Sequence, residues 1–518
     1  MKSLSKKIIA LLVFTSVLIT NQSCVKDLKD VVSNDQISAN IYKDPANYKA
    51  VLAKIYGGLA LSGQQGPAGK PDITGIDEGF GQYLRAYWQH QELTTDEAVI
   101  AWNDRTVKDF HNHAWTSSDV FIAAMYYRIF YQISSCNEFI RESSDAKLSE
   151  RGITVPEVKA FRAEARFLRA LSYYHALDLF GNVPFVTDLD NVGAFLPKQS
   201  NKADLFKYIE SELLAIDGDL VAARANEYAR ADKAAAWMLL AKLYLNAEVY
   251  ISTPKYTEAA TYAKKVLDAG YTLEPSYKNL FLRDNDKSKE IIFPIAFDGK
   301  KTQTWGGMTY LVHAPVGGSM KPADFGINGG WGGLRTTKGL VQLFETSDNR
   351  ALFHTDGQKL EIADIGVFTD GYAVAKYKNV DQAGVKGSDS SGDHVDNDFP
   401  MFRLADAILI YAEAVERGGT GDKALALTKV NELRKRAGVA AFTTYTKDDI
   451  LNERGRELFW EGHRRTDLIR YGKFISGYNW PWKGGVKDGK DIDKKYAIFP
   501  IPLADKTANP NLVQNDGY

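Results

Sequence analysis

The 518-residue chain contains only two cysteines, Cys24 and Cys136, and its formal net charge is −1. One cysteine near the N-terminus and one well inside the chain give an exported protein no disulfide framework. A charge near zero, with no clustered basic stripe, argues against nucleic acid or an anionic membrane surface as the main partner. There is no phosphate-binding loop, dinucleotide fingerprint or nucleophile elbow. No long low-complexity linker divides the chain, which excludes independent beads on a string.

What is present begins with an address. Lys2, Lys6 and Lys7 precede an apolar run from Ile8 to Ile19, which is short for a membrane span and suits a signal peptide over residues 1–23. Ser23 stands directly before Cys24, and the junction resembles a bacterial lipoprotein signal, in which the cysteine is lipidated. Asn21 and Gln22 depart from that pattern, so ordinary signal-peptidase cleavage is the alternative. Acylation of Cys24 would leave Cys136 as a lone buried thiol and residues 24–45 as anchor and tether. The Lys26–Asp27 pair in that tether resembles surface-export signals of Bacteroidetes lipoproteins.

The rest is 45% hydrophobic and longer than a typical single domain, so two joined lobes or one large helical domain with insertions is expected. Helical patterning covers Ala46–Leu61, Ser118–Ser144, Val155–Phe180, Asn201–Leu220, Lys233–Val249 and Tyr256–Ala269. It returns over Phe402–Arg417, Asp422–Ala437 and Lys447–Tyr471. Residues about 61–117 and 275–400 are rich in Gly, Asp and aromatics and read as irregular. A helical scaffold (about 118–270 and 402–474, within a domain spanning 46–518) should therefore carry one irregular lobe built from both segments.

Trp237, Leu240, Ala241 and Tyr244 match the first-helix pattern of a tetratricopeptide repeat, and Ala259 and Ala263 supply the small contacts of a second helix. Looser versions occur at Phe167–Tyr174 and Ile408–Val415. Several longer stretches, in order, carry a wider resemblance: "AEARFLRALSYYHALDLFGNVPFV" (163–186), "FRLADAILIYAEAV" (402–415), "VNELRKRAG" (430–438), "ILNERGRELFWEGHRRTDLIRYGKF" (450–474), "FPIP" (499–502) and the terminal "NPNLVQNDGY". Together they resemble the SusD/RagB family of outer-membrane glycan-binding lipoproteins of Bacteroidetes. The resemblance implies a mostly α fold, a tetratricopeptide-like helical-hairpin scaffold with a loop-rich glycan-binding lobe. It also implies an extracellular, lipid-anchored location and a SusC-like TonB-dependent transporter as partner.

Catalytic readings find little support. Asp96 and Glu97 are adjacent, and a surface glycosidase could use such carboxylates only across a controlled gap. Glu453, Glu457 and Glu461 alternate with arginines at i, i+4 spacing, which favours helix-face ion pairs. His111 and His113 lack further metal ligands nearby. Asp389, Asp393, Asp396 and Asp398 offer the oxygens calcium takes, without EF-hand order; a solvated acidic loop is expected, with a structural calcium ion as the alternative and no other metal or cofactor.

Binding has more behind it. Sugars present an apolar C–H face to aromatic rings and a rim of hydroxyls to polar groups. The irregular segments supply Asp77, Tyr83, Arg85, Trp88, Trp102, Asn103, Asp104, Trp305, Tyr310, Trp331 and Arg335. Trp305 and Trp331 each adjoin a Gly-Gly pair, which should leave ring faces unobstructed. Starch-binding family members carry an arc of aromatics, and the resemblance assigns Trp102 and Trp331 to two of its positions. Trp305 or Tyr310 takes the third, with Arg85, Asp77 and Asn103 as hydrogen-bonding partners. An α-glucan ligand follows from that resemblance, a different glycan being the alternative.

Overall fold

The structure, a computed structural model, describes residues 40–518; the signal segment, Cys24 and most of the tether lie outside the described residues. The principal helices are α1 (Ala46–Ala60), α2 (Tyr83–Glu92), α3 (Val120–Glu142), α4 (Val158–Phe180), α5 (Lys202–Ala215), α6 (Lys233–Leu245), α7 (Tyr256–Leu267), α8 (Gly307–His313), α9 (Leu404–Glu416), α10 (Lys423–Ala437), α11 (Lys447–Leu458) and α12 (Arg464–Arg470). Their starts are set by local chemistry. Asp119, Asp232 and Asp422 each accept two orphan amides of the helix they precede, and Thr446 with Asp449 forms a capping box.

Packing runs as a chain of neighbours. Helix α1 lies on α3 and α4, α4 on α5, α5 on α6, α6 on α7, α7 on α9, and α9 on α10 and α11. Leu240 and Ala241 of α6 and Ala259 and Ala263 of α7 are all buried, and the two helices pack on each other. Alanines at the contact let the two helices approach closely, as the repeat pattern requires. Cys136 is fully buried in α3, and burial pushes its thiol up to about 12, which keeps it inert.

Two expectations change. Helical patterning over Lys447–Tyr471 is interrupted between α11 and α12, where Trp460 and Gly462 both take positive φ. Trp460 is held there from outside the helix: its backbone N–H donates to Glu97 Oε2 and its indole N–H to the Glu97 carbonyl, each at 2.8 Å. Glu453, Glu457 and Glu461 are ion-paired, as their spacing with arginines implies, but only Glu453–Arg456 runs along their own helix. All three are buried, and most of their partners come from other elements. Arg403 bridges Glu290, Glu457 and Glu461, Arg350 bridges Asp348, Glu453 and Glu457, and Lys376 meets Glu461.

Strands are few and short. β1 (Val99–Ile100) pairs antiparallel with β3 (Leu334–Arg335), and β2 (Ile291–Ile295) with β4 (Phe399–Arg403). Within the stretch read as irregular, α2 is a helix buried at every residue but Arg85, packed between α3 and α8.

Breaking a buried charge network is costly because the remaining charges lose their compensation. Arg403→Met is therefore expected to lower the unfolding free energy by about 3–5 kcal/mol, measured by denaturant titration; an unchanged midpoint would contradict the role given to this network. Glu92 supplies a pH test. Burial lifts its carboxyl from 4.5 to about 7, and burial together with the Glu92 charge lifts Glu97 as well. A raised carboxyl keeps its proton in the folded state after the unfolded chain has released it, so stability falls as pH rises from about 4.5 through about 7. Glu92→Gln should flatten that decline, as seen by comparing unfolding at several pH values; parallel curves for parent and variant would count against it.

Candidate functional site

The β1–β3 pairing sets the site. Its ladder continues with Ala101 N–H to the Gly333 carbonyl at 2.8 Å, and the next residue is Trp102. The Trp102 ring lies directly on Gly333: a Cβ there would fall 2.4 Å from Trp102 Cε2. The Trp102 indole N–H donates to the Trp331 carbonyl at 3.1 Å. The Trp331 segment is laid along the backbone that follows α8, with Trp331, Gly332 and Gly333 amides bonded to the carbonyls of His313, Val316 and Ala314.

This changes the purpose of the glycines. Gly333 makes room for Trp102, and Gly330 lets the chain pass Val316, whose carbonyl oxygen a Cβ would meet at 2.2 Å. Gly306 likewise lets the Trp305 segment press on Gln82 and Gly79. They do not simply clear both faces of Trp331, because one face is covered by the His313 imidazole, centroids 4.9 Å apart and planes 25° apart.

Three half-buried tryptophans form a row with Trp331 at its centre. Trp102 lies 6.2 Å from Trp331 at 44°, and Trp305 lies 6.2 Å from Trp331 at 54°. Trp305 is fixed by Arg85, whose Nη1 donates to its carbonyl at 3.2 Å, and by its own amide, which donates to Glu78. Tyr310 is not part of the exposed row: it is 0% exposed. It stands edge-on to Trp88 and Trp102, with the Arg85 guanidinium 4.1 Å above its ring. The helical turn of α8 carries it inward, so it supports the surface from beneath.

Beside Trp102 a depression of about 300 Å³ is lined by Asp77, Phe80, Arg85, Asp104, Arg105 and the walls Val107 and Phe121. Asp77 uses one oxygen to accept the Gly79 and Phe80 amides. Burial lowers the Arg85 pKa, against the pull of Tyr310, Asp77, Glu78 and Asp104. Asn103 is exposed next to Trp102 but does not line this depression. Arg105, three residues beyond Trp102, does line it, at φ +45° with its guanidinium 5.3 Å from the Phe80 ring. Its place in "WNDR" was the available signal. Arg335 and the other two aromatics, Tyr83 and Trp88, are fully buried; Arg335 donates to the carbonyls of Ile365, Val367 and Asp370.

The alternative chemistries do not assemble. Asp96 is buried in a two-pronged pair with Arg464 at 2.7 Å, and Glu97 is buried against Trp460. Both histidines of "HNHAW" are buried, and burial pushes them down to about 3. Asp389, Asp393 and Asp396 are occupied with amides and hydroxyls of their own loop and its neighbours, and Asp398 accepts from the Phe297 amide and Tyr228. Among the described residues no three His, Cys, Asp or Glu side chains converge in a metal-binding arrangement. A larger depression, about 900 Å³, lies between α1, α3 and residues 186–195, and none of the tryptophans lines it.

A family model described as the SusD family matches residues 364–518, and one described as "Starch-binding associating with outer membrane" matches residues 73–265. The chain is 34% identical, over 96% of its own length and 96% of the relative's, to the starch-binding protein SusD of Bacteroides thetaiotaomicron. A SusD-like protein of Bacteroides ovatus is 24% identical over 94% of this chain and 88% of that protein. Surface glycan-binding protein A from Bacteroides fluxus has the same fold, with a TM-score of 0.71 at 20% identity, covering 92% of this chain and 100% of that one.

Because Gly333 is the seat of Trp102, Gly333→Ala should unseat that ring without touching the helical scaffold. Glycan affinity is expected to fall at least about tenfold, with an unchanged far-ultraviolet spectrum; a folded variant that binds as the parent does would remove Trp102 from the site.

Proposed function

The chain belongs to the SusD/RagB family, and we propose that this member captures starch-derived maltooligosaccharides at the cell surface and hands them to a SusC-like TonB-dependent transporter. One observation carries the choice of ligand: the three tryptophan rings are not coplanar, neighbouring planes being inclined by 44° and 54°. A ligand that stacks on all three rings must bend at each step. The coiled chain of an α-glucan does so, whereas a flat, extended polysaccharide offers faces that stay nearly parallel. The starch-binding relative at 34% identity supports the same choice.

In this reading Trp102, Trp331 and Trp305 take the apolar sugar faces, and Asp77, Arg85 and Asn103 bond the hydroxyl rim, with Arg105 added to them. The irregular lobe supplies the glycan surface and the stacked helices face the transporter. Lipidation of Cys24 would hold the protein on the outer membrane; no helix among the described residues is long and apolar enough to cross one. No bond is broken. The relatives are binding proteins, and the carboxylates a glycosidase would need are buried in ion pairs. Stacking on an open, preformed surface gives modest affinity, which keeps release into a transporter easy.

Calorimetric titration of residues 25–518 with maltoheptaose tests this. Trp331→Ala and Trp305→Ala should each weaken binding by roughly thirtyfold, about 2 kcal/mol, while Tyr310→Phe stays within about twofold. Loss in Tyr310→Phe but not in Trp305→Ala would reverse their roles. A parent that ignores maltoheptaose but binds another glycan would overturn the substrate.

A further inference from the structure

Trp331 is the central ring of the row, and its outward face can be flat and fixed only if its inward face is supported. That support is an imidazole. His313, the last residue of α8, is 1% exposed and stacks under the Trp331 indole with centroids 4.9 Å apart and planes 25° apart. The same residue holds the Trp331 segment at two further points. Its backbone carbonyl accepts the Trp331 amide at 2.9 Å, and its ring Nδ1–H donates to the Gly329 carbonyl at 2.7 Å.

The Asp393 backbone also lies against the edge of this ring. These polar contacts sit at the ring edge, and the ring face is given to Trp331. Burial keeps it below the usual histidine range, with Asp393 and His394 as its ionisable neighbours, so the stacked ring is the neutral one. A donor to Gly329 requires the proton on Nδ1, which fixes the tautomer.

We propose that His313 is a positioning residue for glycan binding: it sets the plane of Trp331 by stacking beneath it, and so sets the inclination that the sugar chain meets. This rests on the tryptophan row being the glycan surface. Two variants separate the stack from the tie. His313→Phe and His313→Leu both lose the bond to Gly329, but only phenylalanine keeps a flat face under the indole.

The experiment uses residues 25–518 grown with 5-fluorotryptophan, whose nine tryptophan ¹⁹F resonances include one that disappears in Trp331→Phe. That resonance is expected to move in His313→Leu and to return near its parent position in His313→Phe. Maltoheptaose affinity should fall roughly tenfold in the leucine variant and recover to within about twofold in the phenylalanine variant. A folded leucine variant with parent-like resonance and affinity, or a phenylalanine variant no better than leucine, overturns the assignment. His313→Ala replaces leucine if that variant does not fold. If the parent binds no glycan, the proposed function fails, and the resonance alone decides the role of His313 by the same criteria.

Discussion

Arg464 reaches back across 368 residues of sequence to grip both carboxylate oxygens of Asp96 at 2.7 Å. The neighbouring Glu97 takes the backbone and indole N–H groups of Trp460, and Glu92 takes the Gly462 and His463 amides. Residues 92–97 therefore have one position against the turn between α11 and α12. Two residues later β1 begins, and its pairing with β3 puts Trp102 on Gly333. A buried ion pair is weak evidence of net stability, since desolvation offsets much of the attraction, yet losing one partner is severe. Its effect here is on register: the segment cannot slide without leaving a bare charge in the core.

The same logic extends outward from α11. Glu453 and Glu457 on that helix and Glu461 just beyond it draw in Arg350, Lys376, Arg403 and Arg436 from the loop lobe, β4 and α10. The loops that carry Trp305 and Trp331 contain little regular structure of their own and are held instead by Arg85 and Glu78 and by main-chain bonds onto the end of α8 and the residues after it. A stacking surface benefits directly. In the proposed role, rings already held at fixed tilts would lose little freedom when a sugar arrives.

Much of the scaffold could be read locally because helix starts carry their own caps. Asp119, Asp232, Asp422 and the Thr446–Asp449 box lie at or next to the expected boundaries. The break at Trp460 could not be read, because what imposes it is Glu97, 363 residues away. The spacing of Glu453, Glu457 and Glu461 pointed to ion pairs with the arginines interleaved among them for a similar reason: spacing reveals a shared face but not which arginines will meet it. At the site, Trp102 and Trp331 stand out in sequence through their loop settings and neighbouring glycines, although the glycines serve backbone approach and the seat of Trp102. Telling Trp305 from Tyr310 needed the structure, in which Trp305 precedes α8 and stays half-buried while α8 carries Tyr310 inward. His313 had no sequence signal, since its role exists only once Trp331 is folded over it.

The central claim is that a row of mutually inclined tryptophan rings receives an α-glucan. The most direct measurement is a crystal structure of residues 25–518 with maltoheptaose. Glucose rings are expected to follow Trp102, Trp331 and Trp305 in turn, with hydroxyls toward Asp77, Arg85 and Arg105. Sugar density confined to the depression between α1 and α3, with the three rings bare, would contradict it.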